Sequence, residues 1–254
     1  MRVALRKLLT ELRRTVAYQR ELGVEWYEFP LPSLTIPVPL APKAAVGAKA
    51  GDGEPRRLCP VVTSPPRQGL DELRRELADC RRCPSAAGPP LFGVGGAGAD
   101  LMVVAGQPSP MELKERTVFT GEGFKLFEKM MGPKAMNLPL ERIFRCHLQK
   151  CGGCGEQADT AAERAWCLHF LHRQIIAVQP AAILVFGVEA AQALLASDQP
   201  LFRLRGRIHH FCSIPLVASY HPDFLLEHAE LKKMAWQDLQ LLQGRLTHEL
   251  RGRN

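Results

Sequence analysis

Residues 182–196 read AILVFGVEAAQALLA: five apolar residues, a glycine, then a helical pattern from Val188 to Ala196. A run this short, followed at once by a helix, is the sequence form of a strand buried on both faces. The same alternation extends in both directions. Leu101–Ala105 (LMVVA) precedes a helical pattern over Glu122–Met131, Ile143–Leu148 precedes one over Ala161–Val178, and Leu216–Tyr220 precedes one from about Ala229 to Gln243. Strands that alternate with helices predict a largely parallel sheet covered on both faces, because parallel neighbours need crossovers and helices supply them. The expected class is α/β, a three-layer sandwich around a four-stranded, mainly parallel central sheet. Ligands of such sheets collect at the carboxyl ends of the strands, which directs attention to the segments after Ala105, Leu148, Phe186 and Ser219.

Upstream the composition changes. Leu5, Leu8, Leu9, Leu12 and Val16 fall at helical spacing with arginines and lysines mostly off that stripe, which predicts a basic amphipathic helix within residues 1–28. Residues 29–68 are rich in Pro, Ala and Gly and bury too little apolar surface to offset the cost of ordering, so they read as an extended linker to a domain spanning 69–254. The 254 residues are 46% hydrophobic and 23% charged, as expected of a folded protein and unlike collagen or a wholly disordered chain. No run approaches the roughly 18 apolar residues of a membrane span, and charges interrupt the N-terminus where a signal peptide needs an apolar stretch, so a cytoplasmic protein without a membrane partner is expected. The net charge of +7 permits a polyanionic partner without demanding one.

Eight cysteines without an export signal suggest metal or cluster ligation rather than disulfides. Cys80 and Cys83 form one Cys-x-x-Cys, Cys151 and Cys154 another in a Gly-rich turn, and Cys167 lies on the following helix. Three groupings compete: a four-thiolate zinc site from the two pairs, an iron–sulfur site of Cys80, Cys83, Cys151 and Cys167, or unmetallated thiols. Cys59 falls in the linker, and Cys146 and Cys212 read as core packing.

The first Cys-x-x-Cys, the VFTG stretch holding Phe119 and Gly121, Lys150-Cys151, FGVEAAQALL around Gly187, Arg205-Gly206 and SYHP at Ser219–Pro222 resemble, in order, the family 4 uracil-DNA glycosylases. The resemblance covers roughly Leu73 to Leu242. It implies a [4Fe-4S] cluster on Cys80, Cys83, Cys151 and Cys167, DNA as partner, and hydrolysis of the N-glycosidic bond of a flipped-out uracil, a DNA repair reaction. By the same resemblance Phe119 stacks on the base, His221 donates to the carbonyl that gains charge, and Gly106 faces the sugar or phosphate through its backbone. A base on an aromatic face contributes about 1–3 kcal/mol.

Three positions depart from the family pattern. Gly106-Gln107-Pro108-Ser109-Pro110 stands where the family has Gly-Glu-x-Pro-Gly, so an amide replaces the carboxylate placed near the attacking water. Gln107 can orient a water but cannot take its proton. His147 replaces the asparagine that reads the uracil edge, and one imidazole cannot match an amide's paired donor and acceptor. Glu227 stands where an arginine commonly follows His-Pro, a negative charge near expected phosphates, while Lys150, Arg203, Arg205 and Arg207 could meet them. The expected activity is therefore reduced or redirected to another base. Two alternatives stand beside it: an iron–sulfur DNA-binding protein without catalysis, and a zinc protein of unrelated function. The N-terminal helix could dock a protein partner, contact DNA or pack on the domain.

Overall fold

The runs Leu101–Ala105 (β1), Ile143–His147 (β2) and Ala182–Phe186 (β3) each form a five-residue strand buried at every position. The computed structural model describes residues 69–83, 86, 88–152 and 161–253. The expected N-terminal helix and linker, with Cys59 and Cys154, lie outside the described residues. Two further strands, β4 (His209–Phe211) and β5 (Ile214–Ser219), complete a sheet of order β2-β1-β3-β5-β4. The first four in that order are parallel, and β4 adds antiparallel to β5.

Successive side chains alternate between the two sheet faces. Met102, Val104, Phe144, Cys146, Ile183 and Val185 enter one core, against Leu73 and Leu77 of α1 (Leu70–Ala78), Phe170 and Leu171 of α4 (Ala161–Val178) and Ala190 of α5 (Val188–Leu195). Leu101, Val103, Ile143, Leu184, Phe186 and Val217 enter the other, against Phe127 and Met131 of α3 (Gly121–Met131) and Leu239 and Leu242 of α8 (Lys232–Arg253). Burying both faces explains why β1 and β3 read as continuous apolar runs rather than alternating ones, while β2 holds Arg145 and His147 buried among its apolar residues. Each Leu, Val, Ile or Phe so enclosed contributes about 1.5–3 kcal/mol.

The three-layer α/β sandwich is as expected, with one strand more. His209-His210-Phe211 has no apolar run to reveal it and forms an edge strand only because β5 lies beside it. Helices α2 (Pro110–Glu115), α6 (Leu201–Leu204) and α7 (Pro222–Glu227) are too short to show a period. Helix α8 begins three residues after Ala229, behind a 3-10 turn at Ala229–Leu231, and continues ten beyond Gln243 through the exposed Gly244. Cys146 is fully buried, as read, and Cys212, half-buried in the β4–β5 turn at φ +47, packs against the same core; Cys212 is disulfide-bonded, against the expectation that the cysteines form no disulfides.

The outer edge of β2 is covered by its own upstream loop, through paired hydrogen bonds between Val94 and Arg145. Gly93 and Gly95 adopt φ +120 and +134, and a Cβ at either would stand 2.7 Å from a β2 carbonyl oxygen. Only glycine allows that approach, which shields an edge otherwise open to pairing. Among the described residues no helix is long and apolar enough to cross a membrane.

Candidate active site

Parallel register aligns Ala105 with His147 and Phe186 with Ser219, so the loops leaving β1, β2, β3 and β5 emerge on one side of the sheet. Backbone bonds knit them: the Gln149 N–H donates to the Gly106 carbonyl (3.0 Å) and the Gly187 N–H to that of Ser219 (3.0 Å). Gly106 is half-buried and Gln107 exposed on the loop after β1.

That loop becomes α2 through a capping box. The Glu112 N–H donates to Ser109 Oγ (3.3 Å), and the Ser109 N–H donates to Glu112 Oε2 (2.6 Å). The other carboxylate oxygen accepts the Phe119 N–H (2.5 Å) and lies 2.9 Å from His147 Nε2. Phe119 is thereby held at φ +60, a left-handed conformation unfavourable for a residue with a Cβ. Its ring stacks on His147 at 5.6 Å and 17° and lies 6.0 Å from the His221 ring. The structure thus gathers Phe119, His147 and His221 and adds Glu112, a carboxylate not singled out from the sequence. Its signal was available: Ser109-x-x-Glu112 is a capping-box pattern.

Burial pushes the Glu112 carboxyl up, but the hydrogen bond and charge of His147 and the amides of Ser109 and Phe119 outweigh it, lowering the pKa from 4.5 to about 2. Between those values the unfolded chain binds a proton that the folded chain does not. The contribution to stability, on the order of 3 kcal/mol, is complete above pH 4.5 and lost as pH falls through about 2. Urea unfolding at stepped pH is expected to show a shallower loss of stability across that window in Glu112→Gln than in wild type. Equal slopes would mean that Glu112 carries none of the acid sensitivity. With Glu112 ionised, His147 Nε2 is the protonated nitrogen that it binds, and among the described residues the buried Nδ1 has no hydrogen-bond partner.

His221 caps α7. The Asp223 N–H donates to its Nδ1 (3.2 Å), so the neutral ring carries its proton on Nε2. Burial holds the imidazole below its ordinary pKa of 6.5, with the nearby His147 acting in the same direction and the Asp223 and Glu112 carboxylates opposing. The ring lies 5.8 Å from Phe186, edge to face. This is a neutral hydrogen-bond donor just past a strand end, half-buried and flanked by the rings of Phe119 and Phe186.

The model of the uracil DNA glycosylase superfamily matches residues 92–240, more than half of the chain and all five strands. The chain belongs to the uracil-DNA glycosylase superfamily. The type-4 uracil-DNA glycosylase of Archaeoglobus fulgidus is 25% identical over 176 residues, 65% of this chain and 87% of its own length. That of Thermotoga maritima is 24% identical over 181 residues, 68% of this chain and 93% of its own. That of Sulfurisphaera tokodaii is 24% identical over 184 residues, 67% and 82%.

Two basic residues expected at phosphates serve this superfamily member internally. Lys150 is 1% exposed, and its Nζ donates to the His147 carbonyl (2.5 Å) and to Gln174 Oε1 (2.7 Å). Burial lowers its pKa, and it fixes the end of β2 from behind. Arg205 donates to both oxygens of the buried Asp238, which also accepts from Ser219 Oγ (2.8 Å) and the Gly206 N–H (3.0 Å). The Arg205-Gly206 and SYHP motifs of the uracil-DNA glycosylase resemblance therefore meet at one carboxylate. Arg203, Arg207 and Glu227 are exposed.

Cys80 and Cys83 are half-buried after α1, whereas Cys151 and Cys167 are buried after β2 and on α4. The Arg82 guanidinium lies 5.0 Å over the Trp166 ring, so the first pair's segment runs beside the helix turn that carries Cys167. Among the described residues, no group of three or more His, Cys, Asp or Glu side chains is placed to hold a metal ion.

Proposed function

We propose that this chain hydrolyses the N-glycosidic bond of a flipped-out uracil in DNA, at a rate limited by its altered water and base-reading positions. The observation that carries this reading is His221, a neutral Nε2–H donor fixed at the end of β5 against Phe119 and Phe186. Breaking the bond leaves negative charge on the departing base, and a preoriented donor in an enclosed site stabilises that charge without reorganisation. In this reading Phe119 stacks on the base, Gln107 places the water, Gly106 faces the sugar, and His147 meets the base edge. Cys80, Cys83, Cys151 and Cys167 supply four thiols, a donor set that fits a [4Fe-4S] cluster in kind. The cluster would join the segment after α1 to α4 and the loop after β2, a structural role outside the reaction.

One observation favours the rival of a DNA-binding protein without catalysis: the His147 ring lies nearly parallel to Phe119 on a face that a base would use. Single-turnover base release from uracil-containing single-stranded DNA, with iron measured on the same preparation, separates the two. Slow release by the iron-loaded wild type and faster release by Gln107→Glu are expected. Tight binding of the DNA with no release by either protein would establish the rival. Stoichiometric zinc in a colourless, anaerobically purified protein would overturn the cluster.

A further inference from the structure

Gln107 leaves the proposed reaction without a group to take the water's proton, and three carboxylates lie near the strand ends. Glu112 is committed to His147, Ser109 and Phe119. Asp223 lies against α3, its Oδ1 1.7 Å from the point where a Cβ on Gly123 would stand, and 3.5 Å from His221 Nδ1 through its other oxygen. Glu189 is different. It occupies the first turn of α5, which starts at the end of β3, the strand lying between β1 and β5. Its side chain is exposed and makes no hydrogen bond or ion pair among the described residues. Its Oε2 stands 2.9 Å from the position that a Cβ on Gly106 would take. A carboxylate without a structural partner thus touches the residue immediately before Gln107.

We infer that Glu189 is the carboxylate of the reaction, acting beside Gln107 on the water and the sugar. The inference rests on the proposed glycosylase function. In the step, the C1′–N bond breaks with its electron pair leaving on the base, and positive charge develops on the sugar. The water held by Gln107 bonds through oxygen to C1′, and its proton passes to the Glu189 carboxylate and then to solvent. The base anion, hydrogen-bonded by His221, takes a proton from solvent, so the net change is addition of one water. The amide and the acid divide between two strand ends what a single glutamate at position 107 would do.

The test uses the full, iron-loaded chain. In single-turnover release from uracil-containing single-stranded DNA, Glu189→Gln is expected to be slowed about 10- to 100-fold, the range for an acid–base group reduced by its exposure. Its affinity for abasic DNA and its melting temperature should match wild type, because the carboxylate holds nothing in place. Adding Gln107→Glu to that variant should recover release, since either carboxylate then serves. Wild-type rates in Glu189→Gln would overturn the inference and leave the glycosylase reading standing. So would a slowing matched by an equal loss of DNA binding. No release by the wild type would remove the reading, and Glu189's role with it.

Discussion

His221→Ala is expected to slow single-turnover uracil release by about 10²- to 10³-fold, the range for removing one preoriented donor from a site of developing negative charge. The structure gives this residue a capping role beside the proposed catalytic one, and the measurement must separate the two. Its Nδ1 caps α7 by accepting the Asp223 N–H, and loss of a cap costs about 1 kcal/mol of stability. In the proposed reaction its Nε2–H is the donor. His221→Asn keeps an oxygen able to cap, but places its amide closer to the backbone than the imidazole reaches. Asparagine should therefore restore much of the melting temperature lost in the alanine variant while leaving release slow. If both variants release base at the wild-type rate, His221 is a cap and nothing more. Slow release that recovers in step with stability would also assign it to structure.

The site's carboxylates show where sequence patterns stop. Strands β1 and β3 were legible because each carries five residues buried on both sheet faces, a constraint that leaves a continuous apolar run, whereas in β2 the buried Arg145 and His147 interrupt it. His221 and Phe119 were legible only through SYHP and VFTG, because nothing in their spacing places them 6.0 Å apart. Glu112 had a local signal, the capping box with Ser109, but its bond to His147 spans 35 positions and no periodicity reports it. Glu189 looks like any acidic residue in a helix's first turn, and its place beside Gly106 follows only from β1 and β3 being neighbours. Lys150 and Arg205 misled in the opposite sense. A basic residue reads as exposed by default, yet Gln174 and Asp238, 24 and 33 positions downstream, draw these two inside. Local chemistry writes itself into sequence, whereas a pairing between distant elements becomes visible only once topology brings them together.

The second large effect belongs to that hidden class. Asp238 is fully buried on α8 and accepts from Arg205 Nη2 (2.9 Å) and Nε (3.1 Å), the Gly206 N–H and Ser219 Oγ. Burial pushes its carboxyl above the ordinary value, against the pull of Ser219 and Arg205, yet only the carboxylate satisfies all four donors at once. Removing it strands a largely buried guanidinium, whose remaining bond is to the Met234 carbonyl (2.6 Å). Asp238→Ala is expected to cost about 3–5 kcal/mol, the penalty for breaking a buried pair from one side. For a domain of this size that lowers the melting temperature by roughly 10 °C. Arg205→Met with Asp238→Leu removes both charges together and should cost less than Asp238→Ala alone, because no unpaired charge is left inside. A double variant less stable than the single would show that the pair contributes net attraction beyond satisfying itself. Ser219 ends β5 two residues before His221, so this carboxylate also ties the strand bearing the donor to the long C-terminal helix. Asp238→Ala should accordingly lose release even below its melting temperature, while the charge-free double variant, stable but without the Ser219 bond, reveals how much of His221's placement depends on that single hydrogen bond.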